Sequence, residues 1–377
     1  MKKIAIIGAS YLQLPLINKA KDMNLETHVF AWAANDVGET AADHFYPISI
    51  IEKDLILEKC REIKIDGICS IASDLAMTTV NYVAEKMGLP GNSIEATLVS
   101  TNKHLMRKRF ADNGDPSVKS IQIIDLKDVN PDDFSYPVIV KPEDRSGSRG
   151  ISKITDKTEL KDAVKLAQEA SFNGHALIEE FAEGEEFSAE TISFNGKHKL
   201  LAITKKYTTG APHFIETGHM EPAFPRDSKM FSRIEEMVYH ALDGLGLQNG
   251  ASHTEYKIDS KGQIRLIEIG GRMGGDCIGS SLVHLSTGVD FVKAIIEVAL
   301  GNEPDSQIKK DICAAIRYVF APEDIKILEQ MKNDPAITIE EENNVTIPDH
   351  TVTDSSARSG YYIFTAEKID DLRKYLD

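Results

Sequence analysis

The chain has 377 residues, 42% of them hydrophobic and 27% charged, and a formal net charge of −16. That length exceeds what one hydrophobic core organises, so two or three domains are expected. The acidic balance excludes nucleic acid as a main partner, because phosphate backbones select basic surfaces, and no apolar run approaches the ~20 residues of a membrane span.

The opening Met1-Lys2-Lys3-Ile4-Ala5-Ile6-Ile7-Gly8 lacks the length and cleavage site of a signal peptide and reads as a first strand. Cys60, Cys69, Cys277 and Cys313 have neither metal nor redox spacing, so they read as reduced thiols of a cytoplasmic protein. Residues 9–23 follow with a helical pattern, 26–31 and 67–72 read as further strands, and 76–87 as a helix. This alternation implies a parallel α/β sheet. The segment Gly8-Ala9-Ser10-Tyr11-Leu12-Gln13 lacks the second and third glycines of a dinucleotide fingerprint. Ser10, Gln13, Ser73 and Asp74 stand at strand ends, where open α/β sheets bind ligands. Helix capping by Ser10 and Asp74 is the alternative.

Leu89-Pro90-Gly91-Asn92 is the first boundary signal, and residues 93–113, which include Lys103, read as one helix. Tyr136-Pro137-Val138-Ile139-Val140-Lys141-Pro142 is a strand closed by Lys-Pro, leading through Ser146-Gly147-Ser148-Arg149-Gly150 into a strand at 151–154. A Gly/Ser-rich loop of this kind can turn its N–H groups onto phosphates, and Lys141 can add a point charge. A flexible hairpin turn is the plainer alternative; a Walker loop is absent. A helix at 157–172 precedes Ala176-Leu177-Ile178-Glu179-Glu180-Phe181-Ala182. Asn195-Gly196 between two strands signals a tight hairpin ended by Lys205 and Lys206. Residues 207–225, holding His213, Glu216, His219 and Glu221, read as a long loop of the kind that is functional or disordered, and 229–245 as a helix.

The densest chemistry lies in residues 251–276, read as two strands joined by Asp259-Ser260-Lys261-Gly262. Side chains alternate along a strand, so His253, Glu255 and Lys257 share one face. Glu268 interrupts an apolar run on the second strand, and a short turn can bring it beside Glu255. Two adjacent carboxylates repel unless one is protonated or a cation lies between them. Such an oxygen pair suits Mg²⁺. Gly270-Gly271-Arg272-Met273-Gly274-Gly275 then allows close backbone approach to a ligand beside a planar cation. A solvent-facing hairpin with surface charges is the competing reading. From about residue 305 the chain reads as a small α+β unit, with strands at 312–320, 336–340 and 361–365 and no cluster of catalytic residue types.

The order of Lys103, Lys141, the 146–150 loop, Glu179-Glu180-Phe181-Ala182, Glu186, Glu255, Glu268 and Arg272 resembles an ATP-grasp enzyme. Glu216-Thr217-Gly218-His219, Ser252-His253-Thr254-Glu255, Gly271-Arg272-Met273-Gly274-Gly275-Asp276 and the segment from Ser355 to Tyr361 are similar to the L-amino acid ligase branch. The resemblance implies a Rossmann-like domain over 1–92, a two-part ATP-grasp fold over 93–304 and a C-terminal α+β unit over 305–377, hence a mixed α/β and α+β fold. It implies that Lys103 and Lys141 hold phosphates of ATP, with Ser146, Gly147, Ser148 and Gly150 closing over them. Glu179, Glu180, Phe181 and Ala182 would form the adenine hinge, and Glu186 would bind the ribose. Glu255 and Glu268 would hold Mg²⁺ or Mn²⁺, Arg272 would steady an acyl phosphate, and His219 and His253 would line the carboxylate side. Many family members carry a metal-binding Asn where this chain has Gly270. The implied activity is an ATP-dependent carboxylate–amine ligase with small-molecule substrates, amino acids among them, acting as a homodimer. Carbamoyl-phosphate synthase-like or glycinamide ribonucleotide synthetase-like chemistry, or non-catalytic ATP binding, are the alternatives.

Overall fold

A computed structural model describes residues 1–145, 150–210, 215–348, 350, 352, 355–358 and 360–377. The first of three sheets is wholly parallel, in the order β3-β2-β1-β4, with β1 at Lys3–Ile7, β2 at Glu26–Phe30, β3 at His44–Tyr46 and β4 at Gly67–Cys69. Ile4 and Ile6 bury one face of β1, Ala5 and Ile7 the other, in separate apolar clusters. A strand apolar on both faces must be covered on both, as parallel sheets are. The expected parallel α/β region is therefore present. Its first helix is shorter than the pattern, Leu14–Asp22, with proline in the first turn. Helices Val37–Ala41 and Lys53–Ile63, and the short edge strand β3, were not legible.

The helix expected over 93–113 is two, Ile94–Thr101 and Lys103–Asn113. Asn102 breaks it: its backbone is extended, and its Oδ1 accepts from the Leu105 N–H, capping the second helix. The second sheet is antiparallel, β5-β8-β6-β7, with β5 at Ser120–Ile123, β6 at Val138–Pro142, β7 at Ser152–Ile154 and β8 at Ala176–Glu180. Helix Leu160–Ala170 lays Leu160, Ala163, Val164 and Ala167 on it.

The third sheet runs β13-β12-β9-β10-β11-β14-β16-β15. Its strands are β9 (Glu185–Phe194), β10 (Lys197–Thr208), β11 (Glu216–Glu221), β12 (Gly250–Ile258), β13 (Ile264–Gly270), β14 (Cys313–Tyr318), β15 (Thr338–Asn343) and β16 (Tyr361–Ala366). Asn195 and Gly196 take φ of 50° and 75°, the left-handed pair that the β9–β10 hairpin needs. Helix Lys229–Leu245 packs Phe231, Ile234, Val238 and Leu242 against Phe187, Ile203, Tyr256 and Leu266 of this sheet. Each such fully buried aliphatic or aromatic side chain contributes ~1.5–3 kcal/mol.

Two expectations change here. The 207–225 loop contains a strand, β11, buried between β10 and β14. The C-terminal strands also continue this same sheet through the β11–β14 pairing. Gly184 (φ +108°) carries the chain from the second sheet into the third; a Cβ there would lie 2.1 Å from the Ile258 carbonyl oxygen, so no other residue fits.

Candidate active site

Sheets two and three face each other across a cleft, and β12 and β13 furnish one wall. Glu255 stands directly opposite Glu268 in the antiparallel register, and a bulge follows Glu255. His253, Glu255 and Lys257 all line the cleft, as their alternate spacing requires. The paired carboxylates are balanced by cations from elsewhere in the chain. Lys206 Nζ lies 2.7 Å from Glu255 Oε1 and 3.0 Å from Glu186 Oε1. Lys103 Nζ lies 3.0 Å from Glu268 Oε1. His253 bridges Glu190, at Nδ1, and Glu255, whose Oε1 is 3.2 Å from Nε2.

These contacts set the charges. Burial opposes ionisation of Glu255, but Lys206 and His253 overcome it and hold the carboxyl well below its ordinary range. Burial likewise works against His253, yet Glu190 and Glu255 raise it to about 9, so the ring is a cation at neutral pH. Lys206, buried among Glu255, Glu186 and Glu216, is held well above its usual value.

The second sheet supplies the opposite wall. Glu179 is buried and receives Arg107 through two bonds, Nε at 2.8 Å and the second guanidinium nitrogen at 3.1 Å, while Lys141 Nζ approaches to 2.7 Å. Against burial, these two cations lower Glu179 to about 2. Lys141 moves down as well, because burial, Arg107 and Lys103 outweigh the pull of Glu179 and Glu268. Two cations sharing one anion leave local positive charge facing the cleft. Beyond them, Glu180, Phe181 and Ala182 link the two sheets and line the cleft between the apolar side chains of Val118, Ile139 and Ile267. Lys153 sits over the Phe181 ring at 3.7 Å.

The capping alternative for Asp74 does not hold. Ser73 caps the helix Asp74–Met87, accepting from the Ala76 N–H. Asp74 instead grips Arg272, with Oδ1 3.0 Å from Nε and Oδ2 3.2 Å from a terminal nitrogen. A Cβ on Gly270 would come within 2.8 Å of Asp74 Oδ1, so glycine on β13 leaves room for this carboxylate. Ser10 and Gln13 bind each other, and Gln13 Nε2 donates to the Ile71 carbonyl, fixing the loop after β1.

Of the residues singled out from sequence, Lys103, Lys141, Glu179, Glu180, Phe181, Ala182, Glu186, His253, Glu255, Glu268 and Arg272 meet in this cleft. Ser146, Gly147 and Ser148 lie outside the described residues. Gly150 does not line the cleft; it packs beside Ala170 and Pro142. His219, expected beside His253, is fully buried elsewhere on β11, 3.5 Å from Asp276 and edge-on to Tyr318. There the C-terminal region contributes: Arg358 pairs with Asp276 at 2.6 Å and lies over Tyr318. Ser355 donates to Glu216, which lines the cleft mouth. Arg107 and Glu190 were missed, and Lys206, Glu216 and Arg358 were named without a site role, because only strand register and tertiary packing bring them in.

Residues 134–280 match the family model described as ATP-grasp domain. The chain is 28% identical over 306 residues to the alanine–anticapsin ligase of Bacillus subtilis (strain 168), covering 72% of this chain and 64% of that protein. It is 25% identical over 335 residues to carnosine synthase 1 of Mus musculus, covering 80% of this chain and 40% of that one. The chain thus spans less than two thirds of these curated relatives. Its fold is similar to that of the L-amino acid ligase from Bacillus licheniformis, with a TM-score of 0.82 at 22% identity, over 100% of this chain and 96% of the other. Residues 134–280 thus match an ATP-grasp domain, and the chain is similar in sequence to alanine–anticapsin ligase and in fold to an L-amino acid ligase.

Proposed function

We propose that the protein is an ATP-dependent carboxylate–amine ligase that forms an amide or peptide bond through an acyl phosphate and releases ADP and phosphate. The carrying observation is the facing pair Glu255 and Glu268, ringed by Lys103, Lys206 and Arg272, in one cleft with the 179–182 link. The similarity to alanine–anticapsin ligase and carnosine synthase supports amino-acid-type substrates.

Carboxylate oxygens on facing strands are the hard donors that Mg²⁺ or Mn²⁺ prefers, so the residues fit the metal that ATP-grasp chemistry implies. Gly270 offers no ligand of its own, and the nearby Asp74 carboxylate is held by Arg272. When bound, the metal would neutralise phosphate charge and favour transfer of the phosphoryl group to a carboxylate. Lys103 and Lys206 contact the same carboxylates.

The remaining steps rest on the chain's own groups. Lys103 and Lys141 bind phosphate oxygens, relieving the cation excess around Glu179. The apolar walls and the backbone of Glu180 and Ala182 hold the adenine, and Glu186 the ribose. Arg272, oriented by Asp74, and the cationic His253 stabilise charge on the acyl phosphate and on the tetrahedral adduct formed when the amine attacks. Exclusion of water protects the acyl phosphate from hydrolysis.

The test is phosphate release from ATP with Mg²⁺ across single and paired amino acids, with Glu268→Ala as control. Release that requires a particular pair and vanishes in the variant supports the ligase. ATP binding with no release across the panel contradicts it and favours a non-catalytic binder.

A further inference from the structure

A second constellation lies at the opposite end of the parallel sheet. Asp74 reaches the cleft from beyond the C-terminal end of β4, whereas Glu26 and His44 begin β2 and β3. Glu26 and His28 are two residues apart on β2 and share a face. The parallel register sets His44 opposite His28. Glu26 Oε1 lies 3.2 Å from His28 Nε2 and 3.2 Å from His44 Nε2. The three donor atoms all fall within 4.8 Å of one another. A tetrahedral ion with bonds of about 2.0–2.1 Å has ligand–ligand edges of roughly 3.3 Å. The carboxylate oxygen therefore already stands at edge distance from both nitrogens.

An ordinary histidine–carboxylate pair would explain proximity alone, but two details point to a ligand. His28 is 3% exposed, yet among the described residues its Nε2 makes no hydrogen bond despite the nearby Glu26 oxygen. Its Nδ1 is 3.1 Å from Tyr46 Oη. An Nδ1–H donated to that oxygen fixes the tautomer and leaves a bare lone pair on Nε2, the arrangement of a metal-binding imidazole. His44 stacks on His28 with centroids 4.7 Å apart. Its side chain is half exposed, so the ring can turn to share an ion with His28 while solvent fills the fourth position.

We propose that Glu26, His28 and His44 form a Zn²⁺-class transition-metal site, separate from the ATP-grasp cleft, that pins the edge strand β3 to β2. Two imidazoles and one carboxylate favour Zn²⁺ over Mg²⁺. Tyr46 acts as a positioning residue.

The experiment titrates chelator-treated, untagged full-length protein with Zn²⁺ in excess Mg²⁺, and with Co²⁺ as a spectroscopic probe. Wild type should bind one more Zn²⁺ per chain than His44→Ala. Its Co²⁺ form should show the intense visible absorption of a four-coordinate ion, absent from the variant. Glu26→Gln should weaken binding at least as much as Tyr46→Phe, for which a loss of about tenfold is expected. Circular dichroism of the metal-free variants checks that each folds. Equal stoichiometry and affinity in wild type and a folded His44→Ala, or the pale spectrum of six-coordinate Co²⁺, would overturn the proposal.

Discussion

Replacing Glu179 by Gln tests the charge logic of the cleft wall. Glu179 is buried between Arg107 and Lys141, which lower its carboxyl from the ordinary 4.5 to about 2. At ~1.4 kcal/mol per tenfold change in proton affinity, that depression stabilises the fold by about 3 kcal/mol. The folded pKa lies below the unfolded one, so this stability is complete above about pH 4.5 and fades as pH falls towards 2. Glu179→Gln removes the anion and strands two buried cations, which costs about 3–5 kcal/mol at pH 7. Urea denaturation of both proteins at pH 7, 5 and 3 should show a wide gap at the two higher values. At pH 3 the gap should be smaller by about 2 kcal/mol. A variant as stable as wild type at pH 7, or a gap that ignores pH, would refute the assignment of Glu179 as the shared anion.

Glu221 behaves in the opposite sense. Burial raises it to about 8, with Thr204 and Ser286 donating to its two oxygens. The folded pKa exceeds the unfolded one, so stability falls as pH rises from 4.5 through 8. Glu221→Gln should therefore gain about 3 kcal/mol relative to wild type between pH 4.5 and 7, read by denaturant melts. Lys206→Met removes the ammonium 2.7 Å from Glu255; Mn²⁺ binding without nucleotide, followed by electron paramagnetic resonance, should tighten roughly tenfold, or ~1.4 kcal/mol, while amino-acid-dependent turnover drops. Unchanged Mn²⁺ affinity would remove Lys206 as the ion's competitor. Gly270→Ala places a Cβ 2.8 Å from Asp74 Oδ1. The displaced Asp74–Arg272 pair should lower stability by about 1–3 kcal/mol and raise the substrate requirement for phosphate release; wild-type values for both would show that the space is not filled as described.

The cleft was legible where local pattern carries tertiary meaning. Glu268 inside an apolar strand had to be neutralised, and a short turn could bring it to Glu255; both hold in the β12–β13 register. Helix Lys229–Leu245 has the expected bounds, since Ser228 caps it and an apolar stripe faces the sheet. What the pattern hides is pairing over distance. Lys206 looked like a charge ending a hairpin, yet β10 runs on to Thr208 and turns that ammonium onto three carboxylates. β11 resembled a loop because one of its partners, β14, comes nearly a hundred residues later. Helix capping stayed open as an alternative for Asp74 because the true cap, Ser73, is adjacent. Arg107 carried no signal at all, being one basic residue in a helix rich in them.

The central claim is an acyl phosphate formed between ATP and a substrate carboxylate. With the active amino acid pair in hand, the acid should be labelled with ¹⁸O in its carboxylate and the released phosphate analysed by mass spectrometry. The account predicts one ¹⁸O atom in each phosphate, ADP as the nucleotide product, and loss of both in Glu268→Ala. Unlabelled phosphate, or AMP in place of ADP, would contradict it.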